Sequence, residues 1–183
     1  MVEQLGLNLA EGRNSVRFGR RTRPPRPIAP ATLRLARFLL RDRPVVKSMA
    51  PSQVRVPIDS DGDIIIARQK GRALAIELGF SPTDVVRIAT AISELARNVL
   101  SYAASGEIRL EALNSRNRSG LSIVAWDRGP GIADIEQAMQ DAYSTSGGMG
   151  LGLPGVRRLM DEFTIESTVG EGTTVSATKW CRR

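Results

Sequence analysis

The chain has 183 residues, 42% of them hydrophobic, with one cysteine, no histidine and a formal net charge of +7. That length suits one domain with an extension. Cys181 alone cannot form an internal disulfide, and the lack of histidine removes histidine base catalysis, a phosphoacceptor histidine and most zinc sites. Eleven of the 26 basic residues lie in 1–50 against three acidic ones, so 51–183 is close to neutral and no nucleic-acid partner is expected.

Residues 1–50 are rich in arginine and proline, as in Arg23-Pro-Pro-Arg-Pro27, and poor in aromatics. They read as a basic, disordered extension, with Met49 a sensible alternative start and Ala31–Leu40 able to form a short helix. A basic anchor for an acidic partner or membrane surface is the other reading, and Glu3 and Glu11 argue against a transit peptide. No apolar run reaches the length of a membrane span, so a cytoplasmic protein is expected.

Residues 51–183 read as one domain. Val54–Ile58 alternates like a strand, and Pro57 implies a sheet edge. Asp63 opens a helical pattern that stops at Gly79. Ser81-Pro-Thr-Asp84 supplies a cap, a proline at the first helical position and a capping box, and the apolar helix behind it runs to about Tyr102. Glu107–Asn114 and Leu121–Trp126 are strands joined by a turn at Arg116–Gly120. Ile135–Ala142 and Leu153–Phe163 read as short helices. Phe163–Thr168 and Thr173–Trp180 form a closing hairpin around Gly170-Glu-Gly172. The clustering of strands and helices without a βαβ rhythm predicts an α+β fold: two layers, with a mixed but mostly antiparallel sheet and helices on one face.

Glu94 and Asn98 stack one helical turn apart on an otherwise apolar helix, where an acid and an amide need partners. An asparagine carbonyl suits Mg²⁺ and a glutamate suits general-base work; the plainer reading is a solvated helix face. Asp127 ends a hydrophobic strand, where its carboxylate could accept from an exocyclic amine such as that of adenine. Gly129 and Gly131 then allow close backbone approach; the plainer reading is an ordinary turn. Ser146, Gly147, Gly148, Gly150 and Gly152 form a glycine cluster before a helix, able to cradle an anion or simply to be a flexible loop. It is neither a Walker A loop nor a Rossmann fingerprint. Thr173 closes Gly170-Glu-Gly-Thr173, which is a hairpin turn that could also line a nucleotide crevice.

The order of these pieces resembles the N, G1, G2 and G3 boxes of the GHKL (Bergerat-fold) ATPases: Glu94-Leu-Ala-Arg-Asn98, Asp127-Arg-Gly-Pro-Gly131, Gly147-Gly-Met-Gly-Leu-Gly152 and Gly170-Glu-Gly-Thr173. Tyr143-Ser-Thr-Ser-Gly-Gly148, Gly152–Phe163 and Ala177-Thr-Lys-Trp180 are similar to the RsbT-type anti-sigma regulatory serine/threonine-protein kinases of the stressosome, and the likeness covers about 54–183. It implies a histidine kinase-like ATPase domain that uses ATP and Mg²⁺. Glu94 would be the catalytic base, Asn98 the Mg²⁺ ligand and Asp127 the adenine contact, and the 147–152 glycines would hold phosphate. It also implies a partner-switching kinase that phosphorylates a serine of a STAS-domain antagonist and then activates a PP2C-type phosphatase. The main alternative is an anti-sigma factor that binds a sigma subunit. A detached histidine-kinase ATPase domain is disfavoured by the missing histidine, and a non-catalytic nucleotide switch by the presence of both Glu94 and Asn98. Arg97 and Arg128 are candidates for assisting transfer. The resemblance says nothing about residues 1–50.

Overall fold

The structure, a computed structural model, describes residues 13–19, 53–115, 118–140 and 152–182. In chain order its elements are β1 (Arg13–Gly19), β2 (Gln53–Ile58), α1 (Asp61–Glu77), α2 (Pro82–Ala103), β3 (Gly106–Ser115), β4 (Arg118–Asp127), α3 (Ile135–Ala138), α4 (Gly152–Leu159), β5 (Glu162–Thr168) and β6 (Gly172–Trp180). The expected helix at Ala31–Leu40 lies outside the described residues.

Side-chain chemistry sets the helix starts. Asp63 is not the opening residue of α1 but its third. Its carboxylate reaches back to the Ser60 N–H at 2.9 Å, which moves the start upstream to Asp61. Ser81 caps α2 as expected: its hydroxyl oxygen accepts from the Asp84 N–H at 3.1 Å, and Pro82 takes the first helical position. Ala104 ends α2 in the left-handed conformation, and Gly106 then opens β3. The short helices end sooner than their apolar patterns suggest, α3 at Ala138 and α4 at Leu159.

Among the described residues the sheet has six strands, in the order β1-β5-β6-β4-β3-β2. Every described pairing is antiparallel, where a mixed sheet was expected. β2 is an edge strand, consistent with Pro57, which has no N–H to give to a further ladder. Alternation sends Leu121, Ile123 and Ala125 of β4, Val175 and Ala177 of β6, and Phe163 and Ile165 of β5 into the core. There they meet Ile88, Ile92, Leu95 and Val99 of α2. Each of the leucine, isoleucine, valine and phenylalanine side chains contributes about 1.5–3 kcal/mol by leaving water, and the alanines less. The result is the two-layer α+β arrangement that the strand and helix pattern predicts.

One element was not foreseen. Within the arm expected to be disordered, Arg13–Gly19 pairs antiparallel with β5, and Val16, opposite Ile165, is buried. The arginine-rich composition around it hides the strand. Asn14–Phe18 alternates too briefly to stand out, and a strand this short exists only where an edge such as that of β5 satisfies its backbone.

Candidate active site

Glu94 and Asn98 sit on the second half of α2, the first buried (8% exposed) and the second half-buried. Glu94 Oε2 accepts from the Gly152 N–H at 3.3 Å, a bond between residues 58 positions apart. Glu94 Oε1 lies 3.5 Å from the guanidinium of the exposed Arg97, a long pairing that contributes little. The first residue of α4 is thereby held against the glutamate of α2. The far end of α4 is fastened as well: buried Lys179 donates to the Leu159 carbonyl at 3.1 Å and to Asp161 Oδ1 at 3.1 Å, and lies 4.0 Å from Asp84 Oδ1 near the start of α2. So α4 runs back along α2, with its glycine end at Glu94.

The second half of the site is a row across the sheet. In register, Gly106 of β3, Asp127 of β4, Thr173 of β6 and Ser167 of β5 are successive neighbours. Cross-strand neighbours share a face, and the alternation of buried residues places this row on the helix-covered side. Asp127 Oδ1 accepts from the Gly129 N–H at 2.8 Å, while Oδ2 has no partner among the described residues. The loops on either side lock together. The Gly170 N–H donates to the Pro130 carbonyl at 2.9 Å. Gly131 has φ +72°, and a Cβ there would collide with the Thr168 carbonyl; a Cβ at Gly172 would collide with that of Asp127. Glycine is required at both for this close approach.

Ser167 and Lys179 are the two residues here that sequence reasoning missed. Ser167, 3% exposed, accepts from the Ile132 N–H at 2.8 Å, donates to the Gly172 carbonyl at 3.0 Å and lies 3.0 Å from Thr173 Oγ1. A buried polar residue on the inward phase of a strand was the available signal, and Ser167 and Lys179 both carry it. Arg128 lies over the Trp126 ring at 5.2 Å. Ser146, Gly147, Gly148 and Gly150 lie outside the described residues. No group of three or more metal-ligating acidic or cysteine side chains occurs among the described residues.

Electrostatics concentrate behind α4. Burial acts to raise the Asp84 carboxyl, but the Ser81 hydroxyl, Arg87 and the charge on Lys179 outweigh it and hold the group below its ordinary value. The Cys181 thiol is pushed up, first by burial and then by the Asp84 charge, so it is a poor nucleophile.

Comparison with known proteins agrees with this geometry. Residues 83–182 match the family described as histidine kinase-, DNA gyrase B-, and HSP90-like ATPase. The serine/threonine-protein kinase RsbT of Bacillus subtilis (strain 168) is 56% identical over 127 residues, 69% of this chain and 96% of that protein. The anti-sigma F factor of Thermoanaerobacter sp. (strain X514) is 34% identical over 120 residues, 62% of this chain and 82% of that protein. The anti-sigma F factor of Caldanaerobacter subterraneus subsp. tengcongensis (strain DSM 15242 / JCM 11007 / NBRC 100824 / MB4) is 33% identical over 123 residues, 64% of this chain and 85% of that protein. With the family match spanning more than half of the chain and the RsbT likeness nearly all of that relative, the chain belongs to the histidine kinase-, DNA gyrase B- and HSP90-like ATPases, on the branch of the RsbT serine/threonine-protein kinase.

Proposed function

We propose that this protein is a partner-switching kinase that transfers phosphate from ATP to a serine of a STAS-domain antagonist, and that it binds and activates a PP2C-type phosphatase once released. The observation that carries the reading is the Glu94–Gly152 hydrogen bond, which joins the acid on α2 to the glycine that opens α4. The residues present suit an adenine nucleotide. Asp127 keeps one carboxylate oxygen unpaired among the described residues, available to an amine, and the glycines after β4 and β5 let the two loops pack closely beside it. Asp127, Gly129, Gly131 and Thr173 would line the base end; Ser146, Gly147, Gly148, Gly150 and Gly152 the phosphate end. Asn98 is the residue to hold Mg²⁺, an ion that takes few protein ligands and supplies charge neutralisation to phosphoryl transfer.

Glu94 is the base that takes the proton of the incoming serine hydroxyl. In the structure its Oε2 is occupied by the Gly152 N–H, so the carboxylate becomes available when that N–H turns to another acceptor. Two relatives are anti-sigma F factors; co-purification with a sigma subunit, in place of a STAS protein, would favour sequestration as the main activity.

The test is transfer of labelled phosphate to a purified STAS-domain protein. Glu94→Gln should bind ATP normally and lose roughly 10²–10⁴-fold in rate, as expected for a general base. A wild-type rate in that variant would remove Glu94 from the role.

A further inference from the structure

We propose that Ser167 is a specificity-determining positioning residue: it fixes the Thr173 hydroxyl as an acceptor beside Asp127, and so selects an amino group over a carbonyl at position 6 of the purine. The inference rests on the reading that Asp127 meets the base.

A serine hydroxyl has one proton to give and two lone pairs. Ser167 donates its proton to the Gly172 carbonyl and spends one lone pair on the Ile132 N–H. Its third contact, with Thr173 Oγ1 at 3.0 Å, can then be satisfied only if Thr173 is the donor. The Thr173 proton is thus turned toward Ser167, and its oxygen offers only lone pairs to the crevice. Thr173 is the cross-strand neighbour of Asp127, on the same face of the sheet. The register therefore sets two acceptors on neighbouring positions of one face, the Asp127 oxygen that is unpaired among the described residues and the Thr173 oxygen. An exocyclic amine satisfies such a pair. A carbonyl oxygen faces lone pairs only, and an unmade hydrogen bond in a half-buried site is costly.

Ser167 is 3% exposed, and its hydroxyl is held by Ile132, Gly172 and Thr173, so it would act on a ligand through Thr173. Without its hydroxyl, Thr173 is free to rotate and donate to a carbonyl. Removing Ser167 should therefore weaken the amino purine and spare the oxo purine, a pattern that general loosening of the loops does not produce.

The experiment measures binding of ATP and of inosine triphosphate by calorimetry on the full chain, with melting temperature alongside. In Ser167→Ala, ATP affinity should fall about five- to tenfold, the scale of one hydrogen bond, with a smaller loss for inosine triphosphate, so their ratio shrinks. Ser167→Thr, which keeps the hydroxyl, should restore the ratio. In a Thr173→Val background the ratio should already be low, and adding Ser167→Ala should not move it further. Equal losses for the two nucleotides, or an unchanged ratio, would overturn the proposal. If Ser167→Ala does not fold, Thr173→Val alone decides, and a wild-type ratio there overturns it too. Asp127→Asn separates the two levels: unchanged ATP affinity in that variant rejects the base contact itself, whereas a loss there with a constant ratio in Ser167→Ala rejects only the role of Ser167.

Discussion

Asp127 ends β4 with one oxygen held by the Gly129 N–H and the other unpaired among the described residues. The first bond fixes the carboxylate; on the proposed reading the second oxygen meets the ligand amine. Asp127→Asn keeps the shape but replaces one acceptor with a donor that opposes an amine. A lost hydrogen bond to a charged group is on the order of 1.5–3 kcal/mol, so ATP affinity should drop by about ten- to a hundredfold in calorimetry, with little change in melting temperature. Asn98, one turn beyond Glu94, has a different signature. Asn98→Ala should weaken nucleotide binding in the presence of Mg²⁺ and leave it nearly unchanged in a chelator. An equal loss in both conditions would place Asn98 on the nucleotide rather than on the ion.

Among the elements, α4 has the most consequential attachments. It meets Glu94 of α2 through its first residue, and at its other end Lys179 of β6 holds the Leu159 carbonyl and Asp161. Asp84, at the start of α2, completes this buried cluster. Removing one member of a buried ion pair leaves the other uncompensated, a cost of about 3–5 kcal/mol. Lys179→Met should therefore lower the denaturation midpoint clearly, while leaving Asp127 and its loop intact. The same cluster sets an acid limit. Because the Asp84 carboxyl is held below its ordinary 3.8 in the folded protein, it contributes stability that is fully present above that pH and is lost as pH falls through the folded value. Circular dichroism should show stability declining below about pH 4, with a shallower decline in Asp84→Asn. An identical acid profile in that variant would show that Asp84 is not the group responsible.

For the whole molecule, the sheet runs from β1 to β2, so one of its edges is supplied by residues 13–19. Composition alone suggests that a chain starting at Met49 would melt like the full protein. The structure changes that expectation: the shorter chain loses β1, bares the edge of β5 and exposes what Val16 covers. Its melting temperature should be several degrees lower, given a burial loss of about 1.5–3 kcal/mol and roughly 2–4 °C per kcal/mol for a domain of this size. ATP binding should survive, because Glu94, Asn98, Asp127, Ser167 and Thr173 all lie between β2 and the end of β6. Full loss of nucleotide binding on truncation would mean that β1 does more than close the sheet.

The sequence by itself determined the described elements of residues 53–182 and their order. Ser81-Pro-Thr-Asp84, the alternation of Leu121–Trp126 and the glycine pairs are local signals, written in residues close in sequence and governed by local physics. Tertiary structure decided what local signals cannot carry. β1 is a strand only because β5 offers it an unpaired edge, and the backbone groups of a seven-residue segment need that partner. Ser167 and Lys179 stand out locally only as polar residues on the inward phase of a strand; the register places one between two glycine loops and the other between α2 and α4. The Gly152 N–H reaches Glu94 across 58 residues. Such contacts depend on which strands are neighbours and in what register, and that choice is made by the burial of the whole sheet against the helices rather than by any one segment.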